Sequence, residues 1–410
     1  MPECKKKTAS TLKFGTLNMN GRGSEDPTAS GGKWHRLNDM MREKKLDVLA
    51  VNETHLDARS VDKLHDKFGK RLYLINSPNP ENPGAKEGVT VILNRERTNV
   101  HDVRHHVLIP GRAIIVSIAW HAKLTFTYLA VYAPNNRKEN EEFWDRLYTI
   151  ILSNNRIPLP DAMGGDLNVV EDALDKLPMK RDHGGAVQAL QRLVNALQLR
   201  DIWREQNLGR TTYTCRQAST GSQSRIDRIY ASQDVAAVSQ NWDIDVPNFK
   251  TDHKLVTAEI TNPAAPYIGR GWPTWPKHLI NGDRELNEYI KSKGLTVQKT
   301  IQELEEGHRV RTEQLNAQIL FKEFKDDIFA KCRERARIVV PRMQKAINQL
   351  KSRIEQMERN TDLAADEKIF SLAKLQESLE NLELRRYDNA KTSSKVRYRL
   401  EGETVSKYWS

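Results

Sequence analysis

Cysteine is scarce: Cys4, Cys215 and Cys332 are the only three in 410 residues, an odd number at wide and unpatterned spacing. Such a set gives neither a disulfide framework nor a zinc knuckle, and it points to a reducing compartment. Long apolar runs are missing too. Nowhere do 18 apolar residues follow one another, and Lys5-Lys6-Lys7 leads into no apolar stretch of signal-peptide length. A membrane span and a secretory leader are therefore not expected. There is also no Walker A string, no His-Glu-x-x-His and no Cys-x-x-Cys, which sets aside the nucleotide, zinc and redox chemistries those strings mark.

Positive charge, by contrast, is in excess. Lys plus Arg number 65 against 54 Asp plus Glu, giving a net charge of +11 and a pI near 9.4. A surface of that sign attracts polyanions, nucleic acid first among them. Residues 261–410 hold 28 basic and 22 acidic side chains and the first 260 hold 37 and 32, so no single cationic arm carries the excess. The mean hydropathy of -0.68, with 38% apolar and 29% charged residues, is more polar than one compact globule requires. Part of the chain is expected as solvated helix.

A length of 410 residues suggests about two domains at ~100 to 200 residues each. Over 11–261, short apolar runs alternate with turn residues, which predicts strands and helices mixed in one domain. Strands are expected at 12–18, 48–51, 72–75, 88–93, 113–120, 124–132, 162–164, 225–229 and 255–260, and helices at 34–44, 139–152 and 187–197. The run Val48-Leu49-Ala50-Val51 reads as a strand buried on both faces. Residues 1–10 are expected as a basic, disordered N-terminus, and the prolines and glycines of 262–280 are expected to mark a linker. From 281 to 410 apolar residues fall at heptad-like steps: Ile347, Leu350, Ile354 and Met357, then Leu372, Leu375, Leu379 and Leu382. That predicts a helical, coiled-coil-like hairpin, with Pro341 opening its first arm and Asn360-Thr361-Asp362 as the turn.

Polar clusters end several of the expected strands: Asn18 and Asn20, Glu53, Asp166 with Asn168, Asp227, and Asp252 with His253. Strand ends hold side chains rigidly enough for catalysis. Taken singly, each has a structural explanation. Asp166-Leu167-Asn168 reads as an Asx turn, Glu53-Thr54-His55 as a strand entering a loop, and Asp252-His253 as a solvated cap. As a set, however, they supply oxygen ligands for a hard cation, a base for water, and donors for a phosphate.

The same residues carry a resemblance. Leu17-Asn18-Met19-Asn20-Gly21, Asn52-Glu53-Thr54-His55, Val131-Tyr132-Ala133-Pro134, Gly165-Asp166-Leu167-Asn168, Ser224-Arg225-Ile226-Asp227 and Thr251-Asp252-His253 stand in order from 11 to 260. This ladder resembles the exonuclease-endonuclease-phosphatase superfamily. Glu53-Thr54-His55, Asp201-Ile202-Trp203 and Tyr213-Thr214 resemble its branch in non-LTR, LINE-type retrotransposons. The resemblance implies an α/β (α+β) fold: a four-layer α/β/β/α sandwich of two packed mixed sheets, followed by a mostly helical tail. It implies Glu53 as the principal magnesium ligand, manganese being an alternative, with Asn18 and Asn20 bridged to the ion through water. Asp166 would activate the attacking water. Asn168 and Tyr132 would hold the scissile phosphate, His253 paired with Asp227 would stabilise its developing charge, and Asp252 would complete the polar floor. Thr214 and Arg225 are expected among the substrate-binding residues.

The implied activity is magnesium-dependent nicking of duplex DNA, leaving 3′-hydroxyl and 5′-phosphate ends, in an intracellular, nuclear protein of retrotransposon origin. Many apurinic-site repair enzymes of the superfamily have Asp where this chain has Asn20, which argues against efficient abasic-site repair. Leu167 replaces the common Phe. The closing string Glu401-Gly402-Glu403-Thr404-Val405-Ser406-Lys407-Tyr408-Trp409 resembles the segment before the polymerase in such proteins, which implies a chain that stops short of a reverse transcriptase. Two other readings stay open: a phosphatase or phosphodiesterase on a non-nucleic-acid substrate such as an inositol phosphate or sphingomyelin, and an inactive nucleic-acid-binding remnant. The tail could contact RNA or protein. Phe324-Lys325-Asp326-Asp327 has the reverse-transcriptase letters, but in a helical stretch where a β-hairpin is needed, so it reads as a solvated helix face.

Overall fold

The computed structural model describes residues 10–120, 124–217, 219–262, 283–360 and 363–401. In chain order the first part gives β1 (Thr11–Asn18), α1 (Lys33–Glu43), β2 (Val48–Asn52), α2 (Ala58–Phe68), β3 (Leu72–Ser77), β4 (Val89–Asn94), β5 (Asn99–Ile109), β6 (Ala113–Ala119), β7 (Thr125–Tyr132), α3 (Arg137–Ser153) and β8 (Ala162–Asp166). There follow β9 (Lys176–Leu177), α4 (Gly184–Ala196), β10 (Leu199–Arg200), α5 (Ile202–Gln206), β11 (Cys215–Arg216), β12 (Gln223–Ser224), β13 (Asp227–Ser232), α6 (Gln233–Val238), β14 (Ser239–Asp245) and β15 (Leu255–Thr261). The last three elements are α7 (Arg284–Glu305), α8 (Ala317–Arg359) and α9 (Ala365–Glu401).

Two six-stranded mixed sheets form the centre, in the orders β14-β15-β1-β2-β4-β3 and β10-β13-β8-β7-β6-β5. Period-two alternation along the strands builds the layers. In β1 and β2, Leu12, Phe14, Val48 and Ala50 face the other sheet and join the core with Phe126, Tyr128, Ile229 and Trp242. Their neighbours Leu17, Leu49 and Val51 face outward under Trp34, Leu37 and Met40 of α1 and Leu64 of α2. On the far side, Ile115, Leu129 and Met163 pack against Trp144 and Leu147 of α3 and Leu190 and Leu193 of α4. The result is the expected α/β/β/α sandwich. Truncating any of these buried aliphatic side chains to alanine costs about 2–5 kcal/mol.

Close packing also explains the Gly-Gly-Asp of β8. A side chain on Gly164 would collide with the Tyr128 hydroxyl, and one on Gly165 with the Val131 carbonyl oxygen. Only glycine lets β8 lie flat enough to deliver Asp166 at its end.

The chain divides into two compact units: Met1–Tyr267 with Ile354–Gln376, and Ile268–Arg353 with Glu377–Ser410. Within the second unit, α7 packs along α8 through Tyr289 Oη, which donates to Asp327 Oδ2 at 2.8 Å, and Arg335 Nε, which donates to Asp283 Oδ2 at 2.7 Å. Phe324-Lys325-Asp326-Asp327 is thus helical, as read.

One expectation needs correcting. Pro341 does not open a helix, because α8 begins at Ala317 and runs through it to Arg359. A proline within a helix lacks the N–H for one backbone bond, at a general cost of about 3 kcal/mol, yet α8 continues on both sides of it. Thr361 and Asp362 of the expected turn lie outside the described residues, as do 1–9 of the N-terminus, 263–280 of the linker and 402–409 of the closing string.

Candidate active site

Register brings the scattered letters together. β1 and β2 run parallel with Asn18 opposite Asn52. In the other sheet β7 and β8 run parallel with Tyr132 opposite Asp166, and antiparallel β13 sets Asp227 opposite the same Asp166. All these positions fall at one end of the sandwich, where Thr251-Asp252-His253 leads into β15.

Asn18 is fully buried and ties two carboxylates together: its Nδ2 donates to Glu53 Oε1 and to Asp166 Oδ2, each at 2.9 Å. Its Oδ1 accepts the backbone N–H of Asn20 at 2.9 Å. Glu53 Oε1 also accepts the Tyr132 hydroxyl at 2.9 Å, and Arg112 lies 4.8 Å over the Tyr132 ring. Glu53, Asn20 and Asn168 all adopt positive φ, at 53°, 50° and 50°. Asn takes that conformation readily, but a Glu rarely does, and at Glu53 the cost is borne where side-chain aim matters.

Asp166 is enclosed. Its backbone N–H donates to Asn52 Oδ1 at 3.1 Å and its Oδ1 accepts the N–H of Asn168 at 3.1 Å. Burial, reinforced by the neighbouring Asp227 charge, pushes its carboxyl up to about 7. His253 Nδ1 donates to Asp227 at 2.8 and 3.0 Å, leaving Nε2 3.9 Å from Asp166 Oδ2. Burial acts to lower the imidazole's pKa, but the Asp227 charge and hydrogen bond, with smaller help from Cys215 and Asp166, outweigh it and hold the ring well above its ordinary value. A base that titrates near neutrality thus stands beside a charged imidazolium, the pairing that acid–base chemistry on a phosphoester uses.

Asn20 Nδ2 donates to Asp252 Oδ1 at 2.9 Å, and Asn168 Nδ2 to the Ala133 carbonyl at 2.8 Å. Glu53, Asp166, Asn168, Asp252 and His253 share the wall of a cleft of about 580 Å³, with Lys180 among its lining. The Glu53 carboxylate, with the Asp252 carboxylate and the Asn20 side chain on the same wall, offers oxygen ligands that suit a hard divalent cation, while Asn18 turns its Nδ2 toward Glu53. On the other side the ligand atoms of Asp166, Asp227 and His253 lie within 4.8 Å of one another.

Two expected substrate-binding residues are placed elsewhere. Arg225 is 2% exposed and its guanidinium is taken up by Asp175 at 2.8 and 2.9 Å and Asp201 at 2.7 Å, over the Trp203 ring. Burial would lower its pKa, yet its two carboxylate partners raise it further. A buried guanidinium must have such partners, so it is committed to the interior and unavailable to substrate. Thr214 is fully buried, and its Oγ1 accepts the N–H of Asp227 at 3.0 Å, so it fixes the carboxylate under His253.

Other contributors had gone unassigned. Asn52 joins the sheets, its Nδ2 donating to the Val131 carbonyl at 2.9 Å while Oδ1 holds Asp166. A buried amide closing an otherwise apolar strand was the available signal. Lys33 Nζ, reaching back from α1, donates to the carbonyls of Met19, Asn20 and Gly21 at 2.6, 2.8 and 3.2 Å; no spacing in the sequence announces it. Cys215, bridged in antiparallel fashion to His253, also hydrogen-bonds its ring.

A two-sheet sandwich here gathers carboxylates, amides and a carboxylate-paired histidine at one rim, a set of groups that phosphoester hydrolysis can use. The chain belongs to the endonuclease/exonuclease/phosphatase family, whose pattern it matches over residues 15–260. Over 159 residues, 38% of the chain, it is 33% identical to the transposon TX1 uncharacterized 149 kDa protein of Xenopus laevis, and the match spans 12% of that protein's length. Similar solved structures include an AP endonuclease from Archaeoglobus fulgidus, 19% identical with a TM-score of 0.47, covering 60% of this chain and 98% of that one. The 3′-5′ exonuclease NExo from Neisseria meningitidis is 19% identical with a TM-score of 0.49, covering 61% and 100%. The endonuclease domain of TRAS1, a telomere-specific non-LTR retrotransposon, is 15% identical with a TM-score of 0.43, covering 62% and 99%.

Proposed function

We propose that the chain is a metal-dependent endonuclease of retrotransposon origin that nicks duplex DNA in the nucleus. The observation that carries this reading is the single Asn18 amide bonded to both Glu53 and Asp166, with the His253–Asp227 pair alongside. It supports a carboxylate for a cation, a base and a charged donor acting together on one phosphate. The TX1 similarity and the net charge of +11 support a nucleic-acid substrate.

In this reading Glu53, with Asn18 and Asn20 beside it, holds magnesium or manganese, which when bound neutralises charge on the phosphate. Asp166 orients a water and takes its proton as the water oxygen bonds to phosphorus opposite the departing 3′ oxygen. Asn168 and Tyr132 flank the phosphate, while the His253 imidazolium faces the charge that grows on it. The P–O3′ bond breaks with its electron pair leaving on O3′, which takes a proton from solvent water to become the 3′-hydroxyl, while the phosphorus stays with the 5′-phosphate. A positioned base contributes ~10²- to 10⁴-fold and an aimed donor ~10²- to 10³-fold, so losing either nearly abolishes turnover. The helical tail is left for contacts with RNA or protein.

Supercoiled plasmid incubated with the protein and magnesium is expected to become open circle, and Asp166→Ala and His253→Ala are each expected to stop the conversion. Nicking that survives both substitutions would remove the reading. Phosphate release from an inositol phosphate without any nicking would move the chain to the phosphatases of its family.

A further inference from the structure

One wall of the cleft is a hairpin of the nuclease-type domain whose backing comes from the later helical stretch of the chain. The hairpin of β11 and β12 lines it with Cys215, Gln217, Ser222, Gln223 and Ser224, and is held by few strand bonds of its own, each strand being two residues long. Its back is covered by Ile354–Gln376, a stretch more than 90 residues further on that belongs to the same compact unit. Gln376 Nε2 donates to Gln223 Oε1 at 2.8 Å in a buried bond. Arg216 Nη1 donates to the Ala373 carbonyl at 3.3 Å, while the backbone N–H of Arg216 donates to the Asp252 carbonyl at 3.0 Å. Ile369 presses on Gly221, where an added Cβ would come within 2.6 Å of its Cγ2. Nearer the hairpin's base, Thr211 Oγ1 donates to the Glu358 carbonyl at 3.0 Å.

We infer that Ile354–Gln376 is a positioning element of the cleft: it fixes the shape of the 211–224 hairpin and thereby selects which DNA geometry the site accepts. Gln376 and Ala373 touch no substrate; they act through Gln223 and through Arg216, whose backbone is bonded to the residue before His253. β9 adds a third two-residue strand beside β12, but a sheet of three such short strands is still marginal and takes one shape only when something packs on it. Sequence preference in a cleft that reads DNA by deformability depends on the shape of such walls. This rests on the nicking function proposed above, and the test separates the two.

The full 410-residue chain is compared with Gln376→Ala and with Ile369→Ala, each checked for an unchanged circular dichroism spectrum. Two quantities are read: amide hydrogen exchange across 213–224, and the distribution of nick positions on plasmid DNA mapped by sequencing. In either variant, exchange of the hairpin amides is expected to quicken about tenfold, the equivalent of one lost buried hydrogen bond. The nick positions should redistribute while total nicking stays within a few-fold, which a general loss of stability would not produce. Unchanged exchange in both variants overturns the brace. Faster exchange with an unchanged nick map overturns the selection of DNA geometry. If the wild type nicks nothing, the proposed function falls and with it the claim of selection, while exchange still decides the brace.

Discussion

Asn52 of one sheet accepts the backbone N–H of Asp166 of the other, at 3.1 Å, and donates to the Val131 carbonyl of that same second sheet at 2.9 Å. The amide is fully buried, so it fixes the spacing of the two sheets at the point where Glu53 and Asp166 must face one another. Asn52→Ala leaves a buried donor and a buried acceptor unpaired, at about 1–3 kcal/mol each. Thermal unfolding is expected to fall accordingly. Nicking by the folded variant should drop about 10²-fold, because a misplacement of 1 Å is enough to cost that much. A folded Asn52→Ala protein with wild-type turnover would show that the sheets set the site without this bond.

The pH profile follows from two raised pKa values. Asp166 must be deprotonated to act on water, and burial beside Asp227 holds its carboxyl up at about 7, so activity is lost as pH falls through that region. A bound cation moves this acid limb lower. His253 must be protonated, and its pKa stands well above the ordinary histidine value, so activity is lost only as pH rises through that raised value. Asp227→Asn keeps the shape but removes the charge that raises His253. The alkaline limb is expected to shift downward, so that the variant loses far more nicking at pH 8.5 than at pH 6.5. An equal loss at both would mean that Asp227 does no more than orient the ring.

Arg225 belongs to the ledger of stability. It is held between the buried Asp175 and the partly buried Asp201, over the Trp203 ring. Arg225→Met leaves Asp201 without its guanidinium partner and Asp175 with Arg204 alone, and breaking a buried pair in this way costs about 3–5 kcal/mol. Denaturant unfolding should report that loss, while the folded fraction at low temperature should retain the DNA affinity of the wild type. Weaker binding by folded Arg225→Met would return the residue to the substrate-binding set.

The sequence was most legible where one physical rule acted alone. Val48-Leu49-Ala50-Val51 is apolar throughout because β2 is buried on both faces, and it is found as expected. β5 was not anticipated: much of it is exposed, so His101, Asp102, Arg104, His105 and His106 leave no apolar alternation to read. α2 was missed because its exposed residues outnumber Leu64 and Phe68. At the site, the letters in order located Glu53, Asp166 and His253, since register carries strand ends to a common rim. They misplaced Arg225, because a motif says which residue stands at a position and burial decides which way it points. The contribution of Ile354–Gln376 was invisible for another reason: apolar heptad spacing reads helix pairing, whereas this stretch meets the cleft hairpin through Gln376, a buried amide.

Glu358 offers a test of that docking which needs no DNA. It is 4% exposed, its Oε1 has no hydrogen-bond partner, and burial pushes its carboxyl from 4.5 up to about 7, against the opposing pull of Lys254 and Arg210. A carboxyl whose pKa is higher folded than unfolded binds its proton more tightly in the folded state. Its contribution is therefore fully present below about pH 4.5 and is lost as pH rises through about 7. Glu358→Gln keeps the shape and cannot ionise. The variant and the wild type are expected to be equally stable at pH 4.5, and the variant more stable by about 1–3 kcal/mol at pH 8. Urea unfolding of both proteins at the two pH values measures the difference directly. If the gap does not widen with pH, the carboxyl is solvated and Ile354–Gln376 is not seated against the domain as described.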